Sequence, residues 1–315
     1  MTDKKIIAVV GSTGAQGGSL VRAILDDPAG EFAVRALTRN PDSEQARALA
    51  ELGAEIVGVD FEDEASVTDA FKGAYGAFCV TFFWQLMSPE KELAQATIQA
   101  RAAKAAGVEH VIWSTLPDTR QVYPLDDDRM PSLGRFKVPH FDGKAEADAV
   151  FRELGVPTTY LQTVFYYENF IHFGMEPKRN GAGVLSLNLP LAKGKLPFIA
   201  AADIGKSALG IFRRGRELVG RTIGIMGDQL TGDEIAKALQ NAFGETVVYE
   251  PVTYRQYAAF GFPGADDLAN QFQYFSEQTA KYAEENSVER TRTLDPDLQS
   301  FSTWLAANHD RIPRS

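Results

Sequence analysis

The feature that most constrains this chain is a glycine-rich segment directly after a short apolar run. Residues 6–10 are all apolar, as in a strand buried on both faces of a parallel sheet. The segment Gly11-Ser12-Thr13-Gly14-Ala15-Gln16-Gly17-Gly18 follows, and then the pattern of a helix. At this junction Gly11 permits a tight turn, Gly14 lets a pyrophosphate approach the backbone, and Gly17 lets helix and strand pack closely. The segment predicts a dinucleotide-binding loop, with spacing one residue longer than the commonest dehydrogenase form.

The first half of the chain alternates apolar runs with amphipathic stretches. We predict strands at residues 6–10, 33–38, 56–59, 74–82, 111–114 and 158–163. Helices are predicted between them at residues 17–25, 41–52, 65–71, 88–107 and 142–154, with Pro28 stopping the first. Strands joined by helical crossovers form parallel sheets with helices on both faces. The fold class is therefore α/β, a doubly wound parallel sheet of the Rossmann type.

Beyond residue 165 this alternation stops. We predict a short helix at 167–173, hairpin-like turns at 181–197, a helix at 202–212 and a strand at 222–226. Thr231 and Glu234 have capping-box spacing, which predicts a helix to residue 243. A strand at 247–250 precedes a mostly helical remainder. We expect a dinucleotide-binding domain at residues 1–165, to which 200–226 return, and a smaller mixed α+β lobe at 166–315.

Charge and composition exclude several classes of protein. The 315 residues carry a formal net charge of −10, so we expect no direct nucleic-acid contact. No apolar run approaches the length of a membrane span, and the run near the N-terminus is shorter than a signal core. The single cysteine, Cys79, forms no internal disulfide, and the four histidines lack metal-ligand spacing. We expect a cytoplasmic protein without a membrane or metal site.

Residues after the second, third and fourth strands indicate which dinucleotide is bound. The second strand ends Leu37-Thr38-Arg39-Asn40, without the acid that binds a ribose 2′-hydroxyl. Unless Arg39 is only a solvated surface residue, its forked donors suit a 2′-phosphate, which predicts NADP(H). Strand-end side chains line the ligand crevice of such sheets, so we expect cofactor contacts from four more residues: Asp60, Phe61, Thr81 and Phe82.

The segment from Val138 to Lys144 carries candidate catalytic residues. Short-chain dehydrogenases use a Tyr-x-x-x-Lys pair in which the lysine lowers the pKa of the tyrosine. Here Lys144 occupies the lysine position and His140 replaces the tyrosine, while Ser114 ends the fifth strand. Two interpretations of His140 remain: a substitute acid, or a residue that only caps or packs the helix start. Lys144 either takes part in the reaction or only binds the nicotinamide ribose.

A second group of aromatic residues follows the sixth strand. Tyr166, Tyr167 and Asn169 are expected near the nicotinamide and the opening to the second lobe. Either tyrosine is a candidate proton donor, and the alternative is that both only form the pocket wall. The sequence leaves these alternatives open.

Together these segments resemble the NmrA-like family. The resemblance rests on VVGSTGAQGGSLVRAIL, ALTRNP, VGVDFED and VTFFW, and on HFDGKAEAD, YYENF and FGFPGADDLANQF, over nearly the whole chain. Members resemble extended short-chain dehydrogenases/reductases of an atypical type. The nearest likeness is to the branch of NADPH-sensing redox regulators (HSCARG-like), which generally lacks the catalytic tyrosine, as this chain does at His140.

The resemblance implies where the cofactor contacts lie. Phosphate contacts are expected at Gly11, Thr13, Gly14, Ala15, Gln16 and Gly17, and a 2′-phosphate contact at Arg39. Adenine, ribose and cleft contacts are expected at Asp60, Phe61, Thr81 and Phe82. Nicotinamide-side contacts are expected at Lys144, Tyr166, Tyr167 and Asn169.

Two functions are consistent with this sequence. The first is an NADP(H)-binding redox sensor that changes a protein-partner surface or a homodimer, favoured because the binding half is intact and the catalytic tyrosine is missing. The second is an NADPH-dependent reductase of a small carbonyl, enone or imine. Its candidate catalytic residues are Lys144, His140, Ser114 and Tyr166.

Overall fold

The structure, a computed structural model, describes residues 4–27 and 30–314, and Pro28 lies outside the described residues. These ranges contain thirteen strands: β1 (Lys5–Val9), β2 (Phe32–Thr38), β3 (Glu55–Gly58), β4 (Gly76–Cys79), β5 (His110–Thr115), β6 (Thr158–Gln162), β7 (Phe165–Tyr166), β8 (Lys178–Arg179), β9 (Leu185–Leu187), β10 (Lys195–Ile199), β11 (Thr222–Gly224), β12 (Asp228–Thr231) and β13 (Val247–Tyr249). They also contain fourteen α-helices: α1 (Ala15–Leu25), α2 (Glu44–Glu51), α3 (Glu64–Phe71), α4 (Phe83–Leu86), α5 (Pro89–Ala106), α6 (Pro139–Glu153), α7 (Asn169–His172), α8 (Ala201–Arg214), α9 (Gly232–Phe243), α10 (Tyr254–Ala258), α11 (Ala265–Glu277), α12 (Thr279–Glu285), α13 (Val288–Arg292) and α14 (Phe301–Asn308).

Seven strands form one parallel sheet in the order β11-β6-β5-β4-β1-β2-β3. Ile7 of β1 lies opposite Val34 of β2 and Gly76 of β4, and both pairings are parallel. The strand order runs outward in both directions from the β1–β4 pair, which makes this pair the switch point of the sheet. The predicted fold class is confirmed. In such sheets ligands bind in the crevice at the carboxyl ends of the strands beside the switch point.

The alternation of side chains along β1 explains why its residues after Lys5 are all apolar. Ile7 and Val9 pack into one hydrophobic cluster, which includes Leu20 of α1 and Ile204 of α8. Ala8, between them, packs into a second cluster with residues of α3, α5 and α6. Helices therefore cover both faces of the sheet, and each strand residue needs an apolar side chain.

Several boundaries differ from the predicted ones. β4 ends at Cys79, which leaves Thr81 and Phe82 in the following loop. α6 begins at Pro139, before the predicted start at residue 142, because proline suits the first helical position. The backbone N–H of His140 in this first turn donates to the carboxylate of Asp267, 127 positions away in the sequence. The start of α6 thus combines a local signal, Pro139, with a hydrogen bond to a residue that is distant in sequence.

The second half of the chain adds two small sheets and the remaining helices. The strand orders are β12-β10-β7 and β13-β9-β8, and β8 and β9 form an antiparallel pair that begins at Lys178, before the predicted hairpin-like region at 181–197. β11 pairs in parallel with β6 at the edge of the main sheet. The capping box of Thr231 and Glu234 is formed as predicted. Within the described ranges, no helix is both long enough and apolar enough to cross a membrane.

Candidate functional site

The loop between β1 and α1 has the geometry of an anion site. Gly11 has a φ of 65°, a conformation that favours glycine. A Cβ on Gly17 would lie 2.4 Å from the carbonyl oxygen of Gly11, so only glycine fits there. Gly14 caps α1 without a side-chain hydrogen bond, whereas Ser88 caps α5 with its hydroxyl. The first N–H groups of α1 are therefore left for an anion, and this loop fits a pyrophosphate. Two further predicted phosphate residues are exposed here: Thr13 and Ala15.

Gln16 joins two of the predicted catalytic residues. Its Oε1 accepts a hydrogen bond of 2.7 Å from Ser114 Oγ, and its Nε2 donates one of 2.7 Å to the phenol oxygen of Tyr166. Gln16 lies in α1, directly after β1, Ser114 lies in β5 and Tyr166 lies in β7. Gln16 and Ser114 meet because the carboxyl ends of β1 and β5 share one edge of the sheet. Burial raises the pKa of Tyr166 to about 12, so its phenol stays protonated at neutral pH.

Lys144 is buried and fully engaged by the protein. Its Nζ donates to the carbonyl oxygen of Thr81 at 3.0 Å and to Thr81 Oγ1 at 2.8 Å. Its third neighbour is Glu92 Oε1, at 2.8 Å, which also accepts a hydrogen bond of 2.8 Å from Thr81 Oγ1. Lys144, Thr81 and Glu92 thus form a closed triangle of contacts. An ammonium group has three donors, and all three are used within this triangle.

His140 forms a second buried pair, with Asp267 of α11. Nδ1 lies 2.6 Å from Asp267 Oδ1, and the backbone N–H donates to Oδ2 of the same carboxylate at 3.2 Å. The rings of Phe83 and Trp84 lie 5.7 and 4.9 Å from the imidazole, between ring centroids. The carboxylate holds the imidazole ring in place. The hydrogen bond at Nδ1 decides which of the two ring nitrogens carries the proton in the neutral ring. His140 thus caps and packs the start of α6, and it also has the partner that an acid–base histidine needs.

The residues predicted for the adenine side lie at the ends of β2, β3 and β4. Arg39 is exposed, and its Nη2 donates to Gln85 Oε1 at 3.0 Å. Asp60 is exposed and accepts a hydrogen bond from the backbone N–H of Glu62. Phe61 is half-buried, and Phe82 is 54% exposed.

The structure corrects the expected position of Tyr167. Its side chain is fully buried, with ring centroids 4.7 Å from Phe198 and 5.1 Å from Phe301, and its hydroxyl donates to the carbonyl of Gln299. Tyr167 follows the end of β7, in a turn, and its side chain packs into the core of the second half, whereas the hydroxyl of Tyr166 contacts Gln16. Burial raises the pKa of Tyr167 far above its usual range. Asn169 is half-exposed at the start of α7.

A cavity of about 380 Å³ lies next to the His140–Asp267 pair. Its apolar wall includes Phe83, Met87, Leu133, Phe136 and Pro139, and its charged lining residues are Glu90, Arg135, Asp266 and Asp267. This volume and mixed lining suit a small molecule with an apolar part. A second, more polar cavity has a volume of about 680 Å³, and the predicted site residues line neither cavity.

Two residues of this region, Glu92 and Asp267, were not among those predicted from the sequence. Glu92 has a signal that points to it, since it repeats at helical spacing with Ala96, Ala100 and Ala103 on the buried face of α5. A carboxylate on that face needs a buried partner. Asp267 has no comparable signal, because its partner is 127 positions away.

No group of three His, Cys, Asp or Glu side chains able to hold a metal ion occurs in the described part of the chain. Cys79 is buried, and burial raises the pKa of its thiol above its usual range. The absence of a metal site remains a prediction of the sequence.

Comparison with known sequences gives a family. The profile of the NmrA-like family matches residues 3–305. The NmrA-like family domain-containing oxidoreductase FrzB of Cladobotryum sp is 30% identical over 300 residues, covering 88% of this chain and 85% of FrzB. The NmrA-like family domain-containing oxidoreductase hkm9 of Aspergillus hancockii is 29% identical, covering 85% of this chain and 82% of hkm9.

Solved structures share the fold at lower identity. NmrA, a negative transcriptional regulator crystallised in complex with NADP, matches with a TM-score of 0.77 and 23% identity, covering 97% of this chain and 95% of that one. The Citrobacter sp. triphenylmethane reductase complexed with NADP(H) matches with a TM-score of 0.74 and 18% identity, covering 97% and 99%. At these identities the likeness concerns the fold.

Proposed function

Because this chain belongs to the NmrA-like family, we propose that it binds NADP(H) along the carboxyl ends of β1, β2 and β4 and acts as an NADPH-dependent oxidoreductase. The loop geometry at Gly11, Gly14 and Gly17 supports the pyrophosphate site, and Arg39 supports a 2′-phosphate over a free 2′-hydroxyl. NADP and NADP(H) complexes of proteins with this fold, and the oxidoreductases FrzB and hkm9, support the same proposal.

The observation that carries the activity is the His140–Asp267 pair. The family-type tyrosine is missing, which by itself favours a binding protein, but the residue in its place has an acid–base partner 2.6 Å from Nδ1. With Nδ1 bonded to the carboxylate, Nε2 is the ring nitrogen left to exchange a proton with a substrate. Asp267 of this pair lines the neighbouring cavity of about 380 Å³, which we propose as the place of a small substrate.

The chemistry divides between cofactor and protein. Bound NADPH supplies a hydride to an electrophilic carbon. In a carbonyl substrate the oxygen then takes the proton, which protonated His140 donates from Nε2, and the product is an alcohol. Gln16 holds Ser114 and Tyr166 through one hydrogen bond each, and we propose that these two residues line the nicotinamide end of the cofactor site. We infer a small carbonyl, enone or imine as the substrate class, and an imine that arrives protonated makes less demand on His140.

A second candidate function is a redox sensor of the NADPH-sensing branch, acting through a protein partner or a homodimer. It is favoured by the state of Lys144, whose three donors are all engaged within the protein. The His140–Asp267 contact supports it too, because it links residues 1–165 to the lobe proposed at 166–315. In this mechanism the cofactor binds one arrangement of the two parts more tightly and shifts their population.

The two functions are separated by NADPH oxidation, followed by absorbance, with aldehydes, quinones, enones and imines as acceptors. The His140→Asn variant is the sharpest test, because an amide at this position still donates to Asp267 but has no Nε2. An oxidoreductase should lose turnover in His140→Asn while retaining NADPH affinity. If NADPH binds tightly and no acceptor is reduced, the sensor is favoured. NADPH should then change the oligomeric state or the proteolytic protection of the chain.

A further inference from the structure

The buried carboxylate of Glu92 contacts two predicted cofactor residues, Thr81 after β4 and Lys144 in α6. Glu92 is completely buried, and its Oε1 contacts Lys144 Nζ and Thr81 Oγ1, both at 2.8 Å. Its Oε2 is buried without a hydrogen-bond partner. A buried carboxylate with one free oxygen is costly, so a large part of its stabilisation comes from the Lys144 ammonium.

We propose that Glu92 is a positioning residue of the cofactor site, acting through Lys144 on the nicotinamide ribose. The inference rests on the proposed NADP(H) binding. A lysine side chain is a flexible stem with a compact charge, and here Glu92 fixes where that charge sits. In a Glu92 variant without the carboxylate, the ammonium keeps only its two contacts with Thr81 and is free to move.

The closed triangle also limits how Lys144 can meet the cofactor. Its three donors are taken by Thr81 O, Thr81 Oγ1 and Glu92 Oε1. A ribose hydroxyl that accepts from Lys144 must replace one of these partners. The Thr81 hydroxyl is the partner that can give way, because it is itself a donor and keeps its own hydrogen bond to Glu92. Glu92 thus holds both residues in place when one of their contacts is exchanged.

The pair is electrically balanced within the cleft. The side chains of Lys144 and Glu92 are 9% and 1% exposed, so neither charge is screened by bulk water. A balanced pair presents hydrogen-bond donors without a strong net charge, which suits neutral ribose hydroxyls better than phosphates. The phosphates instead have the N-terminus of α1 and Arg39.

The test compares two ligands that differ by the nicotinamide half. Affinity is measured by calorimetry for NADPH and for adenosine 2′,5′-bisphosphate, which lacks the nicotinamide ribose. Glu92→Gln should weaken NADPH binding about 10-fold, the size expected for a perturbed hydrogen bond to a charged group, and leave the bisphosphate unchanged. Glu92→Ala should weaken NADPH binding more, so the glutamine variant acts as a partial rescue.

A double-mutant cycle tests whether Glu92 acts through Lys144. In the Lys144→Met background, Glu92→Gln should cause no further loss of NADPH affinity. Asp203→Asn is the matched control, because Asp203 is also a fully buried carboxylate with a lysine partner, Lys206, but lies outside the candidate site. This control should leave the affinity for both ligands unchanged.

Three results would overturn the inference: unchanged NADPH affinity in Glu92→Gln, equal weakening of both ligands, or a full additional loss in the Lys144→Met background. If the wild-type chain binds neither ligand, the proposed NADP(H) function fails as well. Wild-type binding of both ligands with an unaffected Glu92→Gln variant would overturn only the positioning role.

Discussion

Gln16 Nε2 donates a hydrogen bond of 2.7 Å to the phenol oxygen of Tyr166, across 150 positions of sequence. The contact joins the first turn of α1, which follows the glycine loop, to β7, a strand of the small sheet that contains β10. The oxygen of the same amide accepts a hydrogen bond from Ser114, so one side chain contacts both residues. A predicted phosphate-side residue, Gln16, is therefore hydrogen-bonded to two residues predicted near the nicotinamide.

Replacing Tyr166 by Phe should separate the two candidate proton donors. The phenol is protonated at neutral pH, with a pKa raised to about 12, and its loss removes one hydrogen bond. We expect a decrease of about 1 kcal/mol in the free energy of unfolding, measured by urea denaturation. Because His140 is the proposed donor, Tyr166→Phe should retain most NADPH-dependent turnover. Abolished turnover together with wild-type cofactor affinity would instead assign the proton to Tyr166.

Arg39→Ala should remove the preference for NADPH over NADH. Arg39 is exposed and contacts only the neutral amide of Gln85 in the structure, so its guanidinium is available to a 2′-phosphate. A charge-assisted pair of this kind is worth roughly 10- to 100-fold in affinity. Titration with NADPH and NADH measures the ratio, and Arg47→Ala, at an exposed position of α2, is the control. An unaltered ratio would mean that the 2′-phosphate binds elsewhere.

Gly17→Ala should abolish cofactor binding. The added Cβ would lie 2.4 Å from the carbonyl oxygen of Gly11 and 2.5 Å from that of Val10, so the start of α1 must shift away from β1. Such backbone overpacking costs about 1–3 kcal/mol, and the displaced N–H groups lose their alignment with a phosphate. Calorimetry with NADPH and thermal unfolding check both effects. Gly181→Ala, where a Cβ meets nothing within 4 Å, should behave like the wild type.

Lys144→Met should destabilise the fold as well as the site. It leaves the fully buried Glu92 without its cation, and breaking a buried pair costs about 3–5 kcal/mol. The Lys144→Met/Glu92→Gln double variant should recover part of this loss, which chemical denaturation of both proteins would show. Reduced activity of a Lys144 variant alone is thus no proof of a catalytic role. If Lys144→Met and the double variant have the same free energy of unfolding, Glu92 does not depend on Lys144 for its stabilisation.

Asp148→Asn should change the pH dependence of stability. Burial raises the pKa of Asp148 to about 6, above the value of about 3.9 in an unfolded chain. The folded state therefore holds this proton more tightly, and the resulting stability is present below pH 4 and lost as pH rises through 6. Relative to the wild type, Asp148→Asn should gain up to about 2 kcal/mol between pH 4 and pH 7.5. If the difference in the free energy of unfolding between Asp148→Asn and the wild type is the same at every pH in this range, the raised pKa of Asp148 is contradicted.

Local sequence patterns were sufficient for the sheet, the glycine loop and most helix starts. The apolar run at 6–10 and the steric needs at Gly17 act between residues close in sequence, and so do the caps at Ser88 and Thr231. The start of α6 was predicted too late, because Pro139 was not taken as its first residue, and the contact of its first turn with Asp267 in α11 has no local signal. Tyr167 was assigned to the cleft, but its side chain is buried against Phe198 and Phe301, which are distant in sequence.

The sequence by itself determined the parallel sheet, the position of the anion loop and the arginine after β2, since each depends on backbone sterics or periodicity within a few residues. Only the tertiary structure decided the partners of Lys144 and His140. Glu92 and Asp267 reach them from other helices, and such pairs form only after the chain has excluded water from both partners. The free energy of a buried charge depends on everything packed around it, which no local pattern encodes.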